Sequence, residues 1–205
     1  MASNRKDLET EIVKKLQDEN TPLNEKEEIL REIVENYKNS LLNLVYNYIK
    51  PKGILQDAEE IVAQTFIKFY KTIKSFKQKS SIKTYLFRIA INLSVNFLKS
   101  KKESFIPIEE LEKEPIKYQS EEEKIIYDEE KKYLQNALKE ALDNLSKKQK
   151  LAFYLVNYQQ MSYKEVAEVM KISVSAVESL IFRAKQNIKK YILRNKELKD
   201  KFEKL

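Results

Sequence analysis

The stretch Ser162-Tyr-Lys-Glu165-Val-Ala-Glu-Val-Met170-Lys-Ile-Ser173-Val-Ser-Ala-Val-Glu-Ser-Leu-Ile-Phe182 decides the fold. Ser162 with Glu165 three residues on forms a capping box, so a short helix opens here. Val166, Ala167 and Met170 fall on one face of it, and Ala167 is small enough for a close helix crossing. The turn Met170-Lys-Ile-Ser173 follows, with Ile172 filling it and Ser173 able to cap the next helix. Val177, Leu180 and Ile181 then face inward. This spacing predicts a helix-turn-helix, whose second helix enters the DNA major groove. Lys171 stands where the tight turn ordinarily has glycine, and a left-handed non-glycine residue there costs roughly 1 kcal/mol, which the motif tolerates. Ser175, Ala176, Glu178, Ser179 and Arg183 point outward, where Ser and Arg suit bases or phosphates. Glu178 is less at ease near phosphate, although it can accept from cytosine N4. A plain helical hairpin is the alternative reading of the same stretch.

The rest of the chain extends this reading. One Gly and four Pro in 205 residues leave few turn signals for a β fold, and the periodic segments are helical. The fold class is all-α. Asn20-Thr21-Pro22 divides the N-terminal helix formers, with a helix expected over 23–37 and an apolar stripe over 38–50. Asp57-Ala-Glu-Glu60 reads as a capping box for a helix to about Ser75, with Ala58, Ile61, Val62, Thr65, Phe66, Phe69 and Ile73 inward. Ser80 or Ser81 caps the next helix, with Ile82, Tyr85, Leu86, Ile89, Ala90, Leu93 and Phe97 inward. Ser120-Glu-Glu-Glu123 and Ser146-Lys-Lys-Gln149 open two more.

Charge is segregated along the chain. Residues 1–102 hold 19 basic and 13 acidic residues, net +6; residues 103–130 hold 3 and 11, net −8; residues 131–205 hold 17 and 8, net +9. Residues 61–102 carry 10 basic residues and no acid, interleaved with Phe66, Phe69, Tyr70, Phe76, Tyr85, Phe87 and Phe97. One-sign charge with interspersed aromatics suits a nucleic-acid surface. The plainer alternative is a basic solvated face over an aromatic core. The domain reading is an N-terminal helical extension 1–35, a helical domain 36–102, an acidic linker 103–130 and a helix-turn-helix domain 131–205.

Composition narrows the chemistry. There is no His and no Cys, which excludes Ser-His-Asp, Cys-His and Cys-ligated zinc sites. One Gly excludes a glycine-rich phosphate loop. No residue set suggests an enzyme, a metal site or a cofactor. No apolar run approaches the roughly 20 residues of a membrane span and no secretory signal opens the chain, so a cytoplasmic protein without membrane insertion is expected.

Both modules resemble one family. Asp57-Ala-Glu-Glu-Ile-Val-Ala-Gln-Thr-Phe66-Ile-Lys-Phe-Tyr70 resembles the core-binding helix of region two of the bacterial sigma-70 family. Ser81-Ile-Lys-Thr-Tyr-Leu-Phe-Arg-Ile-Ala-Ile-Asn92 resembles its minus-ten-reading segment. Leu145 through Lys150 and Met161 through Lys185 resemble region four, which reads the minus-thirty-five element. With an acidic linker in place of a region-three domain, the pattern is similar to the extracytoplasmic-function (ECF) subgroup. Tyr85 stands where the family often has Trp, and Glu178 where it often has Lys or Arg.

The resemblance implies a factor that binds core RNA polymerase, through the β′ clamp helices and the β subunit, and promoter DNA. An anti-sigma partner is common in the family. Asp57, Glu60, Gln64 and Phe66 would dock on the clamp helices, with Phe66 fitting core or interface equally. The loop Ser75–Ser81 would capture a flipped minus-ten base. Phe76, Tyr85 and Phe87 would be stacking partners, Lys77, Lys79, Lys83 and Arg88 backbone contacts, and Asn92 a base contact. Tyr85 lies on the apolar stripe and suits core more than platform. Ser173, Ser175, Ala176, Glu178, Ser179, Arg183 and Lys185 would meet minus-thirty-five DNA. Residues 1–35 receive no role. The competing reading is a helix-turn-helix regulator acting without polymerase, which leaves the acid-free segment unused.

Overall fold

The computed structural model describes residues 2–50, 52–103 and 137–194. They form helices α1 (Ala2–Gln17), α2 (Leu23–Ile49), α3 (Leu55–Thr72), a 3-10 turn (Ile73–Ser75), α4 (Ile82–Glu103), α5 (residues 137–143), α6 (Lys147–Asn157), α7 (Tyr163–Met170) and α8 (Val174–Arg194). No strand occurs among the described residues.

The first module is a bundle of α1–α4. Pro22 stands at the N-cap of α2, where its missing N–H costs nothing. From there α2 runs unbroken to Ile49, burying Ile33, Leu41, Leu44, Val45 and Ile49. The segments expected over 23–37 and 38–50 are therefore one helix. The boundary expected at residue 35 falls inside it. Helix α1 also buries Val13 and Leu16 in the same core. Helix α1 and the start of α2 thus pack with the first module, because the apolar residues of α1 need α2 and the 3-10 turn to cover them. The chain's lone glycine sits where α2 turns toward α3. A Cβ on Gly53 would lie 2.9 Å from Ile49 Cδ1 and 3.0 Å from Phe97 Cε1, so a side chain there would press these residues of α2 and α4 to shift.

Helix α3 starts earlier than its carboxylates suggest. Ile54 is the N-cap and Asp57 the third helical residue, its Oδ2 accepting from Ile54 N–H at 2.8 Å. Asp57 therefore neutralises an orphan donor from inside the first turn, with no acceptor on Ile54 to complete a reciprocal box. The expected inward face is otherwise met: Ala58, Ile61, Val62, Thr65 and Phe69 are buried. Ser81 caps α4, accepting from Thr84 N–H at 3.1 Å.

Helix α4 buries more than one stripe. Ile82, Leu86, Phe87, Ile89, Ala90 and Ile91 are all interior. It packs on α2 and α3 from one side and on α7 from the other. Its buried hydroxyls turn inward on the helix or to a partner: Ser94 donates to Ala90 O at 2.8 Å, and Thr84 bonds across to α7.

The second module is α5–α8. Ser146 with Gln149 and Ser162 with Glu165 form the two expected capping boxes. Lys171 ends α7 with φ 55° and ψ 48°, the left-handed conformation the turn spacing demands. Ile172 N–H bonds Ala167 O at 3.1 Å to close the turn, and Ser173 Oγ accepts from Ala176 N–H at 3.2 Å to open α8. The helix expected from Ser120 lies outside the described residues up to 136, as does the acidic linker beyond Glu103.

The left-handed Lys171 yields a direct expectation. Lys171→Gly removes a strain of roughly 1–2 kcal/mol, partly offset by glycine's greater freedom in the unfolded chain, leaving a gain of about 0.5–1 kcal/mol. Urea unfolding followed by circular dichroism measures it. A β-branched Lys171→Val changes stability in the opposite sense.

Candidate nucleic-acid interface

Two surfaces carry the polar groups singled out by the sequence. The first is the outer face of α8. Ser173, Ser175, Glu178, Ser179, Arg183 and Lys185 are exposed and Ala176 is half-buried, while Val177 and Ile181 are buried behind them. Ser173 and Ser175 hydroxyls lie 3.0 Å apart, and Ser179 Oγ donates to Ser175 O at 3.0 Å. The hydroxyl row is thereby held against the helix with its lone pairs outward. Phe182 adds an aromatic ring to this face, 64% exposed beside Arg183. Its exposure breaks the usual pattern for a large apolar residue, and only the position after Ile181 in a helical register signals it.

The second surface is α4 with the loop before it. Lys77 and Lys79 are exposed; Lys83, Tyr85, Arg88 and Asn92 are half-buried. The expected stacking rings are otherwise disposed. Phe87 is fully buried, because α4 is covered on two sides and the position after Leu86 is interior as well. Phe76 is only 8% exposed and stacks on Tyr85, with centroids 4.5 Å apart and planes 17° apart. Tyr85 donates its hydroxyl to Thr72 Oγ1 at 2.7 Å and leans on Phe69. These rings build the base of the loop and leave no free platform in this arrangement. A cleft of about 510 Å3 lies beside it, lined by Phe76, Gln78, Lys79, Ser80, Ser81 and Lys83 together with Glu9, Thr10 and Val13 of α1. Gln159, Gln160, Met161 and Glu165 of the second module close its other side.

Three polar groups of α4, on Lys83, Thr84 and Arg88, have partners on α7 or the loop before it. Arg88 Nη1 lies 2.9 Å from Glu168 Oε1, and its guanidinium covers the Tyr85 ring at 5.1 Å. Thr84 Oγ1 donates to Glu165 Oε1 at 3.1 Å, with Ser81 Oγ at 3.5 Å. Lys83 Nζ donates to Gln159 O. Glu165 therefore serves twice: one carboxylate oxygen caps α7 through Ser162 N–H at 2.9 Å, and the other receives α4. Burial pushes its carboxyl up, but bonds from the Ser162 N–H and hydroxyl, the Thr84 hydroxyl and the nearby Lys83 charge outweigh this and hold it below the ordinary 4.5. The capping-box spacing signals the first role of Glu165. Nothing local signals the second, nor the role of Glu168.

On α3, Asp57, Glu60 and Gln64 share a face at spacings of three and four, with Gln64 Nε2 donating to Glu60 at 2.9 Å. Phe66 does not share it: two residues past Gln64 it turns away and packs, half-buried, on the core. Ile67, 54% exposed, continues the carboxylate face in its stead.

Among the described residues no group of three or more His, Cys, Asp or Glu is placed to hold a metal ion, and no helix is long and apolar enough to cross a membrane.

Two basic helical modules, one a helix-turn-helix with a polar outward face, define a DNA-reading protein. Residues 33–104 match the model for sigma-70 region 2, and residues 135–188 match that for sigma-70 region 4. The chain is similar to the ECF RNA polymerase sigma-E factor of Escherichia coli strain K12, 29% identical over 164 residues, covering 76% of this chain and 82% of that protein. It is 28% identical over 177 residues to the same factor of Haemophilus influenzae, covering 78% and 85%. Among solved structures, CnrH in complex with the cytosolic domain of CnrY superposes with a TM-score of 0.61 at 16% identity, covering 91% of this chain and 98% of that one. The sigma factor RpoE in complex with the anti-sigma factor NepR, from Bartonella quintana, gives 0.55 at 22% identity, covering 78% and 96%. The structural likenesses establish the fold. The chain belongs to the sigma-70 family of bacterial initiation factors, in its ECF subgroup. It works with core RNA polymerase and promoter DNA to start transcription.

The α4–α7 contact gives a second expectation. Glu168→Gln, which removes the charge facing Arg88, increases the radius of gyration of the free chain at neutral pH, measured by small-angle X-ray scattering. Acid acts in the same sense. Because the carboxyl of Glu165 is depressed in the folded chain, its stabilising effect is complete above the ordinary value of 4.5 and is lost as pH falls through the lower folded value. Glu165→Gln diminishes that acid-dependent expansion.

Proposed function

We propose a division of labour within this sigma factor. The loop Ser75–Ser81 and the α4 groups Lys83, Arg88 and Asn92 hold the minus-ten strand. The α8 face from Ser173 to Lys185 reads the minus-thirty-five duplex. The α3 face of Asp57, Glu60, Gln64 and Ile67 meets basic groups on the polymerase clamp. The observation that carries this reading is the acid-free segment 61–102 followed, in the family's order, by a capped helix-turn-helix. A regulator acting on duplex DNA alone needs the second and not the first.

The thermodynamic role is differential binding. Flipping a base costs a few kcal/mol, least where the duplex is weak, and a site that holds the single strand shifts the closed–open equilibrium by its preference for that form. With Phe76 and Tyr85 stacked on each other, the preference rests on phosphate contacts from Lys77, Lys79, Lys83 and Arg88 and on the cleft beside the loop. The chain supplies no covalent chemistry of its own; polymerisation belongs to the core enzyme, and both act in the cytoplasm.

This reading also makes the contact between modules consequential. Arg88, Thr84 and Lys83 are engaged by α7 and the loop before it. DNA reaching them must displace Glu165 and Glu168. The described arrangement is therefore a closed form, and core polymerase binds the open one. An anti-sigma partner that embraces both modules would favour the closed form by the same logic.

The test is transcription with purified core polymerase and a promoter library. Promoter-specific transcripts are expected from the full chain. Arg183→Ala weakens binding of minus-thirty-five duplex by about 1–3 kcal/mol, the worth of one bidentate base contact, and leaves core binding intact. Duplex binding without core binding or transcripts sinks the proposal in favour of the lone regulator.

A further inference from the structure

Helix α1 has no part in the division of labour among the other helices, yet its last residue reaches into the loop that takes the minus-ten strand. The Gln17 side-chain Nε2 donates to Ile73 O at 2.8 Å and to Phe76 O at 2.9 Å, across 56 and 59 positions of sequence. One primary amide nitrogen has two hydrogens, so a single group satisfies both carbonyls. Those carbonyls bracket the 3-10 turn, inside which Phe76 N–H also returns to Ile73 O at 3.0 Å. The Gln17 amide therefore fixes both ends of the turn from which the loop departs. Val13, one turn back along α1, and the adjacent Leu16 are buried and hold Gln17 in place.

The path of the chain beyond Phe76 depends on that anchor. The Phe76 ring is stacked on Tyr85, and Tyr85 is tied by its hydroxyl to Thr72 just before the turn. Past Phe76 the backbone runs through Gln78 in a left-handed conformation, φ 52°, and ends at Ser81, the cap of α4. Between these fixed ends the residues Gln78–Ser81 line one wall of the cleft, the wall that stays with the loop when Gln159–Met161 and Glu165 of the second module withdraw in the open form. Glu9, Thr10 and Val13 of α1 form the adjoining wall. A base captured there meets backbone whose position is set at one end by Gln17.

We propose that Gln17 is a positioning residue for base selection: it holds the root of the loop 76–81 through the Ile73 and Phe76 carbonyls, and so sets which base the minus-ten cleft accepts. This rests on the proposed role of the loop in taking a minus-ten base. Discrimination between bases depends on donors and acceptors held to within a few tenths of an ångström, whereas phosphate contacts tolerate displacement. Loss of the anchor should therefore weaken selection more than binding. Glu19 offers a built-in comparison. It pairs with Lys74 at 2.8 Å on the same face, but both side chains are largely exposed and neither bonds the loop carbonyls.

The experiment uses the full chain bound to core polymerase. Affinities are measured for single-stranded minus-ten oligonucleotides carrying each of the four bases at each position in turn. Gln17→Met keeps the side-chain length without the donors, Gln17→Lys restores a donor, and Glu19→Ala is the control. In the wild type one position shows clear base preference. The expected result is that Gln17→Met reduces that preference about fivefold or more, the scale of one lost hydrogen bond. Core affinity stays constant, Gln17→Lys recovers much of the preference, and Glu19→Ala leaves it unchanged. If Gln17→Met weakens all oligonucleotides equally, or lowers core affinity in parallel, Gln17 is structural only and the proposal is overturned. If the wild type shows no preference at any position, the loop's role fails, and the role of Gln17 with it.

Discussion

Helix α4 must satisfy two opposite environments along one short length of chain, and the rest of the structure depends on that constraint. Its apolar residues fill the space between α2 and α3 on one side, where Leu86 and Ala90 are completely buried. Its polar residues Thr84 and Arg88 lie on the side that meets α7. A helix with charge on a semi-buried face needs a counter-charge or water there, since a desolvated guanidinium without a partner is costly. Glu168 supplies it in the closed form. In the reading proposed for the open form, phosphate supplies it. In that reading the two partners offer the same chemistry, an anionic oxygen within hydrogen-bond reach of Arg88, and for that reason they would compete.

The same economy appears in Glu165. As a capping residue it belongs to α7, and any helix opening at Ser162 would favour a Glu there. Its second oxygen is what α4 uses. A local requirement of one helix thus creates the contact between modules with no additional acidic residue. Lys171 shows the opposite case, in which the fold overrides a local preference. The turn between α7 and α8 demands a left-handed residue, and the chain bears the strain with Lys because Val177 and Ile181 can be buried only if the turn closes.

Local signals made much of this legible in the sequence. Capping boxes at Ser146 and Ser162, the apolar faces of α3 and α8 and the left-handed position at Lys171 are short-range features, and each lies where its spacing predicts. What escaped was long-range. The interior place of Phe87 depends on α4 being covered twice, which no period along α4 alone reveals. The start of α3 at Leu55 was hidden because Asp57 suits the third helical position as well as the cap. The unity of α1 with the first module depends on where that helix docks, as do the bonds from Gln17. For the candidate site, the exposed α8 row was readable from helical register, whereas the stacking of Phe76 on Tyr85 required the loop's path in space.

The central claim is that α7 and minus-ten DNA take the same groups of α4 in turn. The chain has no cysteine, so single thiols introduced at exposed positions as Lys101→Cys and Lys190→Cys can carry a pair of spin labels, one on each module. The decisive measurement is the distance distribution between them in the free chain, in the complex with core polymerase, and after adding single-stranded minus-ten DNA. The account predicts a narrow distribution in the free chain and a shift to a separate one when core and DNA are bound. DNA bound with the free-chain distribution unchanged would contradict it.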